Sequence, residues 1–246
     1  MPRPSQPILS RDLIFRTALA KLDRTGGFTI PEIAHKLGVS VSSLYHHVKG
    51  RADILEGIRG LMADWDATTT DLPWQEAVAA WARNYRDSFA KHPAAIPALV
   101  AQTITEQSVL NQYESLAAIL SDAGFSSRSV VLSVSMIDAL CLGSALDLGA
   151  PSTIWQRSDE HRSALQNAVD NATLGDDRAE QAFQLHLSLI IAGLTDLLSS
   201  DLEIGNDRPL GVLRNGGRTV VVCPREKEDT RLTESADGNR DGGQMK

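Results

Sequence analysis

The polar side chains best suited to contact another molecule are concentrated between residues 40 and 51, which read SVSSLYHHVKGR. The hydroxyl, phenol and imidazole groups of this segment can donate or accept hydrogen bonds, and Lys49 and Arg51 add positive charge. In nucleic-acid recognition, such polar groups contact base edges, while positive side chains contact phosphates. The chemistry that the segment offers is therefore noncovalent binding of a polyanion.

Nothing in the residue spacing predicts catalysis. His92, His161 and His186 are far apart, neither His-x-x-x-His nor Cys-x-x-Cys occurs, and no Gly-rich phosphate loop follows a strand. Cys141 lies in an apolar helical run, where a cysteine is more often a packing residue than a redox sensor. We expect no catalytic residue, no metal ion and no cofactor, and therefore not an enzyme.

Local signals predict the helices that position the polar segment. Ser10 can cap a helix over residues 10–24, whose apolar residues recur about once per turn. Thr29 and Glu32 have the spacing of a capping box, which predicts a second helix over residues 30–36.

Gly38 then supplies the left-handed residue that ends a helix, and Ser40 can cap the next one. That third helix carries Tyr45, His46 and His47 towards its end, and a fourth helix is predicted over residues 51–66. Two short helices joined by a glycine turn form a helix-turn-helix, whose second helix fits the major groove of DNA.

The charge distribution agrees with a nucleic-acid partner for this part of the chain only. Net charge is −7, but residues 1–60 contain nine Lys and Arg against five Asp and Glu. A basic segment can approach phosphates while the acidic remainder stays away from them. We expect Tyr45, His47, Lys49 and Arg51 at phosphates, and Ser42, Ser43 and His46 at base edges, with Val41 able to touch a thymine methyl. The complete set of DNA-binding candidates is Thr29, Ser40, Val41, Ser42, Ser43, Tyr45, His46, His47, Lys49 and Arg51.

The segment LGVSVSSLYHHVKGRADIL, residues 37–55, resembles the DNA-binding domain of the tetracycline-repressor (TetR) family of bacterial regulators. The resemblance covers about residues 10–60. It implies an all-helical homodimer with a three-helix DNA-binding head and a larger body. It also implies that a small molecule enters the body, swings the helix after the head and releases double-stranded DNA. Pro31 and Val41 depart from positions where relatives place polar side chains for bases, so the operator sequence cannot be carried over.

Longer helices are predicted after the breaker at residues 68–73. Their ranges are 74–91, 94–102, 106–123, 127–148, 156–171 and 178–200. The predicted fold is all-α, with a helix-turn-helix domain at 1–66 and a ligand-binding and dimerisation domain at 67–204. Residues 205–246 contain 15 charged residues and seven glycines, a composition that predicts a disordered tail.

The body offers candidates for two kinds of contact. Aromatic and polar residues that could line a pocket for a small-molecule effector are Trp81, Tyr85, His92, Gln102, Tyr113, Met136 and Trp155. The helices 127–148 and 178–200 are apolar on nearly every side, so either their own domain or a second copy must cover them. The candidates for a homodimer interface are Leu132, Met136, Leu140, Leu187, Ile190, Ile191 and Leu194, with Gly143, Ala145, Ala192 and Gly193 allowing close helix approach.

The sequence therefore predicts a cytoplasmic, ligand-responsive repressor that binds a pseudo-palindromic operator as a homodimer, without a membrane partner. The N-terminus has no apolar signal core, and the most apolar segments contain aspartates. Three alternatives remain open: a transcriptional activator of the same fold, a helical protein-interaction module that does not bind DNA, and a helical enzyme that uses the body pocket.

Overall fold

The structure, a computed structural model, describes residues 9–65, 72–151, 154–155, 164–172 and 177–199, and the backbone of residues 212–215 and 218–221. The chain divides into two units, Met1–Glu203 and Ile204–Lys246. In the described part of the first unit the regular structure is entirely helical, which confirms the all-α prediction. The predicted domain boundary, between residues 66 and 67, lies within residues 66–71. These are outside the described residues, so the boundary stays a prediction.

The first unit contains these helices in chain order: α1 (Arg11–Thr25), α2 (Ile30–Leu37), α3 (Val41–Tyr45), α4 (Arg51–Met62), α5 (Trp74–Ala90), a 3-10 turn (Pro93–Ala95), α6 (Ile96–Val100), α7 (Gln107–Asp122), α8 (Ser127–Leu148), α9 (Ala164–Asn171) and α10 (Arg178–Ser199). Helices α1 to α4 form the head, and α5 to α10 form the body.

The helix starts and ends in the head follow the local signals of the sequence. Ser10 Oγ accepts a hydrogen bond from the Leu13 amide, which caps α1. Thr29 and Glu32 form the complete capping box of α2. Gly38 ends α2 with φ 69°, a left-handed conformation that glycine adopts without steric cost.

The core of the head brings α1 and α4 into close contact. Ile14, Leu44 and Ile54 are fully buried there. The Phe15 ring of α1 lies directly against Gly57 of α4, where an added Cβ would be 2.2 Å from the Phe15 Cε2 atom. Only a residue without a side chain allows this approach.

Three predicted helices differ from the structure, and the first is α3, which ends at Tyr45 before the His46 and His47 that it was predicted to carry. Helix α4 ends at Met62 rather than near residue 66. The helix predicted over 94–102 is a 3-10 turn followed by α6, because Pro97 has no amide hydrogen and therefore favours the first turn of a new helix. Of the helix predicted over 156–171, the structure describes only α9, and residues 156–163 lie outside the described residues.

The body packs α5, α7, α8 and α10 against one another. Trp81, Leu116, Ile137 and Phe183 come from these four helices, and all are at most 1% exposed. The head touches this body where α1 lies against the 3-10 turn and where α4 lies against α6 and α7.

In the second unit the structure describes an antiparallel strand pair, β1 (Val212–Asn215) and β2 (Arg218–Val221). The disorder predicted for residues 205–246 as a whole stays a prediction. The β-branched run at 219–222 favours a strand, although the composition of the whole tail does not favour a packed core. The rest of that tail lies outside the described residues.

Candidate nucleic-acid interface and effector site

Helix α3 is short, and buried residues fix its orientation. Leu44 is fully buried and Val48, just after the helix, is nearly so. This anchoring turns Val41, Ser42 and Tyr45 outwards, with Tyr45 53% exposed. His46 is exposed, as predicted. His47 is half-buried, and its carbonyl accepts a hydrogen bond from Arg11.

Three of the predicted DNA-binding hydroxyls also hold helix starts. Ser40 Oγ accepts from the Ser43 amide at 3.0 Å, and the two hydroxyl oxygens are 2.8 Å apart. The Thr29 hydroxyl donates to the Glu32 carboxylate at 2.9 Å. The Lys21 ammonium, followed by Thr29, lowers the pKa of Glu32 to about 2, so this capping carboxylate is ionised at neutral pH.

An ion pair that the sequence analysis did not predict holds the turn between α3 and α4. The Arg11 guanidinium donates to both carboxylate oxygens of Asp53, at 2.7 and 3.1 Å, and to the His47 carbonyl at 2.7 Å. Asp53 also accepts the Lys49 amide at 2.8 Å. These bonds, with the Arg11 side chain contributing most, hold the pKa of Asp53 below its usual value. The basic turn is thereby fixed relative to α1 and α4.

Lys49 and Arg51 are exposed beside this turn. The Arg51 guanidinium lies over the Phe28 ring, 5.1 Å from its centroid, and α4 begins at Arg51. Nine of the ten candidates therefore lie in one continuous segment, and Thr29 lies at the start of α2, which packs against α3. The arrangement presents hydrogen-bonding side chains flanked by positive charge.

Three of the predicted effector-binding residues meet inside the body. Trp81 stacks on Tyr85 with ring centroids 4.8 Å apart, and Tyr113 lies 6.0 Å from Tyr85. Trp65 and Phe89 join them through further ring contacts. We call these five residues the aromatic cluster.

Two tyrosines of the aromatic cluster contact Asp138, a carboxylate that was not among the predicted site residues. Oδ1 of Asp138 lies 2.7 Å from the Tyr85 hydroxyl and 2.6 Å from the Tyr113 hydroxyl, and the two hydroxyls are 2.8 Å apart. Burial, reinforced by the Asp138 charge, raises the pKa of both phenols, so each keeps its proton. The cluster thus combines apolar ring surface with three polar groups that contact one another.

The other four effector candidates lie elsewhere. His92 Nδ1 is 2.9 Å from Asp23 Oδ2, which joins the 3-10 turn to α1 instead of lining the body interior. Gln102 lies in the turn after α6, and Met136 and Trp155 are exposed. Two cavities, of about 560 Å³ between α1 and α2 and about 440 Å³ near the end of α8, are lined by residues other than these candidates.

The predicted dimer residues divide between the protomer core and its surface. Leu187 and Leu194 are only 2% and 4% exposed, because they face the body interior, and their contact with a second copy stays a prediction. Leu132 and Met136 are exposed, whereas Leu140, Ile190 and Ile191 are intermediate.

Several apolar residues that the sequence analysis did not select are more exposed, namely Val131, Leu185 and Leu189 at 64%, 58% and 60%. An added Cβ at Gly143 or Gly193 would meet no atom within 4 Å, whereas Ala145 is buried. Helices α8 and α10 thus present apolar surface with small residues on it.

Helices α8 and α10 are also long and apolar enough to cross a membrane, a weak indication because core helices of soluble proteins meet the same criterion. Among the described residues, no group of three or more His, Cys, Asp or Glu could hold a metal ion. Cys141 is buried, and burial raises the pKa of its thiol.

Residues 68–198, more than half of the chain, match the family model described as "Tetracyclin repressor-like, C-terminal domain". The chain is 26% identical over 178 residues to the HTH-type transcriptional repressor DrrR1 of Streptomyces coeruleorubidus, a match that covers 68% of this chain and 63% of that repressor. It is 26% identical over 216 residues to the tetracycline repressor protein class D of Escherichia coli, covering 81% of this chain and 96% of the relative.

Solved structures share the fold at lower identity. BioQ in complex with its natural double-stranded DNA operator has a TM-score of 0.55 at 20% identity, covering 76% of this chain and 99% of that one. A TetR variant from Acinetobacter baumannii in complex with minocycline has a TM-score of 0.59 at 20% identity, covering 78% and 99%. With the match to the body and the helix-turn-helix geometry of the head, these comparisons show that the chain belongs to the tetracycline-repressor family of transcriptional regulators.

Proposed function

We propose that the protein is a cytoplasmic repressor that binds a pseudo-palindromic DNA operator as a homodimer and is released by a small-molecule inducer. The observation that carries this proposal is the outward face of α3, held by Leu44 below and by the Arg11–Asp53 pair at its end. A rigid, exposed helix of this kind fits the major groove. The relatives named as repressors and the structural neighbour solved with its operator support the same function.

The homodimer is proposed because one recognition helix spans only a few base pairs, whereas two helices on a palindromic site gain avidity. The exposed apolar faces of α8 and α10 support pairing there. The predicted contacts that reach the protomer surface are Leu132, Met136, Leu140, Ile190 and Ile191, and the exposed Leu185 and Leu189 join them.

For the effector, we propose a molecule that engages the aromatic cluster and Asp138. Trp81 and Tyr85 offer apolar ring surface, and the two phenols with the Asp138 carboxylate offer hydrogen bonds. The structural neighbour solved with minocycline supports a ligand site in this type of body. Repression rather than activation depends on where the operator lies relative to a promoter, so activation is the second candidate.

The DNA-binding proposal is tested with duplexes enriched from a random pool by the wild-type protein. Replacing both Tyr45 and Lys49 by Ala should weaken binding at every sequence and reduce the slope of log affinity against log salt by about two, because each protomer of the homodimer loses one phosphate contact by a cation. Ser43→Ala or His46→Ala should instead change base preference. Lys91→Ala, which removes the same charge from the exposed end of α5, is the control.

An unchanged titration for the Tyr45 and Lys49 double variant would refute DNA docking through α3. If the protein showed no salt-dependent affinity for DNA, the alternative of a helical protein-interaction module would be favoured.

A further inference from the structure

A groove of about 560 Å³ lies between α1 and α2, on the head rather than in the body. It opens because Thr17 and Ala20, about one turn apart on α1, are small and leave space beside α2. Ile33 and Leu37 of α2 form its apolar floor together with Ala20. The Thr17 hydroxyl donates to the Leu13 carbonyl at 2.7 Å, so it adds no donor to this floor.

The rim of this α1–α2 groove is basic. The cations that line it are Arg16, Lys21 and Arg24 of α1 and Lys36 of α2. Glu32 is the one acidic side chain among the described residues that line the groove. The excess of positive charge favours a negatively charged occupant.

Two of the four rim cations are already paired within the protein. Arg16 contacts an acid of its own helix at 2.8 Å, and Lys21 Nζ lies 2.9 Å from Glu32 Oε1. Arg24 and Lys36 are exposed, and within the part of the chain that the structure describes they pair with no acid. Two positive charges at the mouth of an apolar groove are therefore available to a ligand.

The dimensions of the groove favour a small molecule over a macromolecule. Its volume lies within the range of about 300–1,000 Å³ that small-molecule sites occupy. Helices in contact, as α1 and α2 are, lie about 8–10 Å apart, whereas a further helix with its side chains is about 10–12 Å wide. A peptide helix therefore does not enter the groove. A DNA duplex is wider still and reaches only the rim, where the apolar floor contributes nothing.

We infer that the α1–α2 groove binds a small organic anion, an apolar body that carries carboxylate, sulfonate or phosphate groups. The apolar body lies against Ala20, Ile33 and Leu37, and the acidic groups face Arg24 and Lys36. A guanidinium donates two parallel hydrogen bonds to such a group, and an ammonium adds a point charge. This site lies in the head and is separate from the effector site proposed at the aromatic cluster.

The test titrates the full chain with two fluorescent probes. Anilinonaphthalene sulfonate is an aromatic anion that reports apolar surroundings, and phenylnaphthylamine has the same rings without the sulfonate. Replacing Arg24 and Lys36 together by Gln should weaken binding of the sulfonate about tenfold, because two exposed charge contacts are lost. The affinity for the neutral probe should stay unchanged. The inference does not depend on the proposed function, since these titrations need no DNA.

A second variant, Ala20→Phe, fills the groove without changing its charge. It should weaken binding of both probes about tenfold or more, because the new ring takes the place of the ligand on the apolar floor. The matched control replaces Lys91 and Arg128 together by Gln, which removes the same two charges from exposed positions outside the groove. This control should keep the wild-type affinity for both probes.

Wild-type affinity for the sulfonate in both groove variants would overturn the inference. A loss in the Arg24 and Lys36 double variant but not in Ala20→Phe would place the anion on the rim alone and would also overturn it. If the double variant instead lowered the salt dependence of duplex binding and left the sulfonate unaffected, the phosphate backbone of DNA would be the occupant, and the inference would be wrong.

Discussion

The contacts between Tyr85, Tyr113 and Asp138 permit a quantitative prediction about the centre of the body. Three oxygen atoms lie within 2.8 Å of one another, and since a carboxylate oxygen accepts, the two phenols supply only two protons. At most two of the three contacts are therefore hydrogen bonds. The favoured arrangement has both phenols donating to the carboxylate.

Tyr113→Phe or Tyr85→Phe alone should lower the free energy of unfolding by about 1.5 kcal/mol, the lower end for a hydrogen bond to a charged group. We use the lower end of that energy range because removing one hydroxyl also removes the contact between the two phenol oxygens, which has no proton between them. Changing both tyrosines should cost about 4 kcal/mol, more than the two single effects together, because Asp138 then loses both phenol donors.

Urea unfolding at fixed protein concentration, followed by tryptophan fluorescence, measures these differences, since Trp81 stacks on Tyr85 within the aromatic cluster. Tyr45→Phe is the matched control, because that phenol is exposed on the head and its loss should leave stability unchanged. Single variants within about 0.5 kcal/mol of the wild type, or a double variant no less stable than either single one, would refute the hydrogen-bonded arrangement.

Two further predictions concern pairing and pH. Leu189→Asp should weaken self-association at least about 100-fold in analytical ultracentrifugation, because an unpaired carboxylate would be buried between the copies. Leu110→Asp on α7 is the control. A dimer of unchanged stability in Leu189→Asp would exclude this face of α10 as the interface. Because the folded-state pKa of Asp53 lies below its ordinary value of 3.8, its stabilising contribution is complete at neutral pH and is lost as the pH falls through the folded-state pKa. Asp53→Asn should therefore flatten the loss of stability below about pH 4 in urea unfolding, and an unaltered pH profile would contradict this assignment.

Features determined by neighbouring residues could be predicted from the sequence. The caps at Ser10, Thr29 and Ser40 act over three residues, and Gly38 acts through its own backbone. These signals were sufficient to place α1, α2 and the start of α3, and hence the segment proposed to contact DNA.

Features that depend on distant residues could not be predicted. Asp138 is separated from Tyr85 and Tyr113 by 53 and 25 residues, so no local pattern joins them. Glu56 and Arg59 have the types and spacing of an exposed helical pair, and only the packing of α4 on the body shows that they are buried.

The inward and outward faces of the apolar helices α8 and α10 also could not be predicted from neighbouring residues. A helix that is hydrophobic on every side has no periodicity that distinguishes its inward face from its outward face. The predicted interface residues therefore include Leu187 and Leu194, which are buried, but not Leu185 and Leu189, which are exposed.

The contact between Phe15 and Gly57 has a mechanical consequence. Since no space separates the ring from the α4 backbone, α1 and α4 have to rotate as one lever. Helix α4 has 12 residues and is therefore about 18 Å long. A tilt of about 5° at its body end displaces the other end by roughly 1.5 Å, half the length of a hydrogen bond, so a small rotation suffices to misalign the side chains of α3 with the bases.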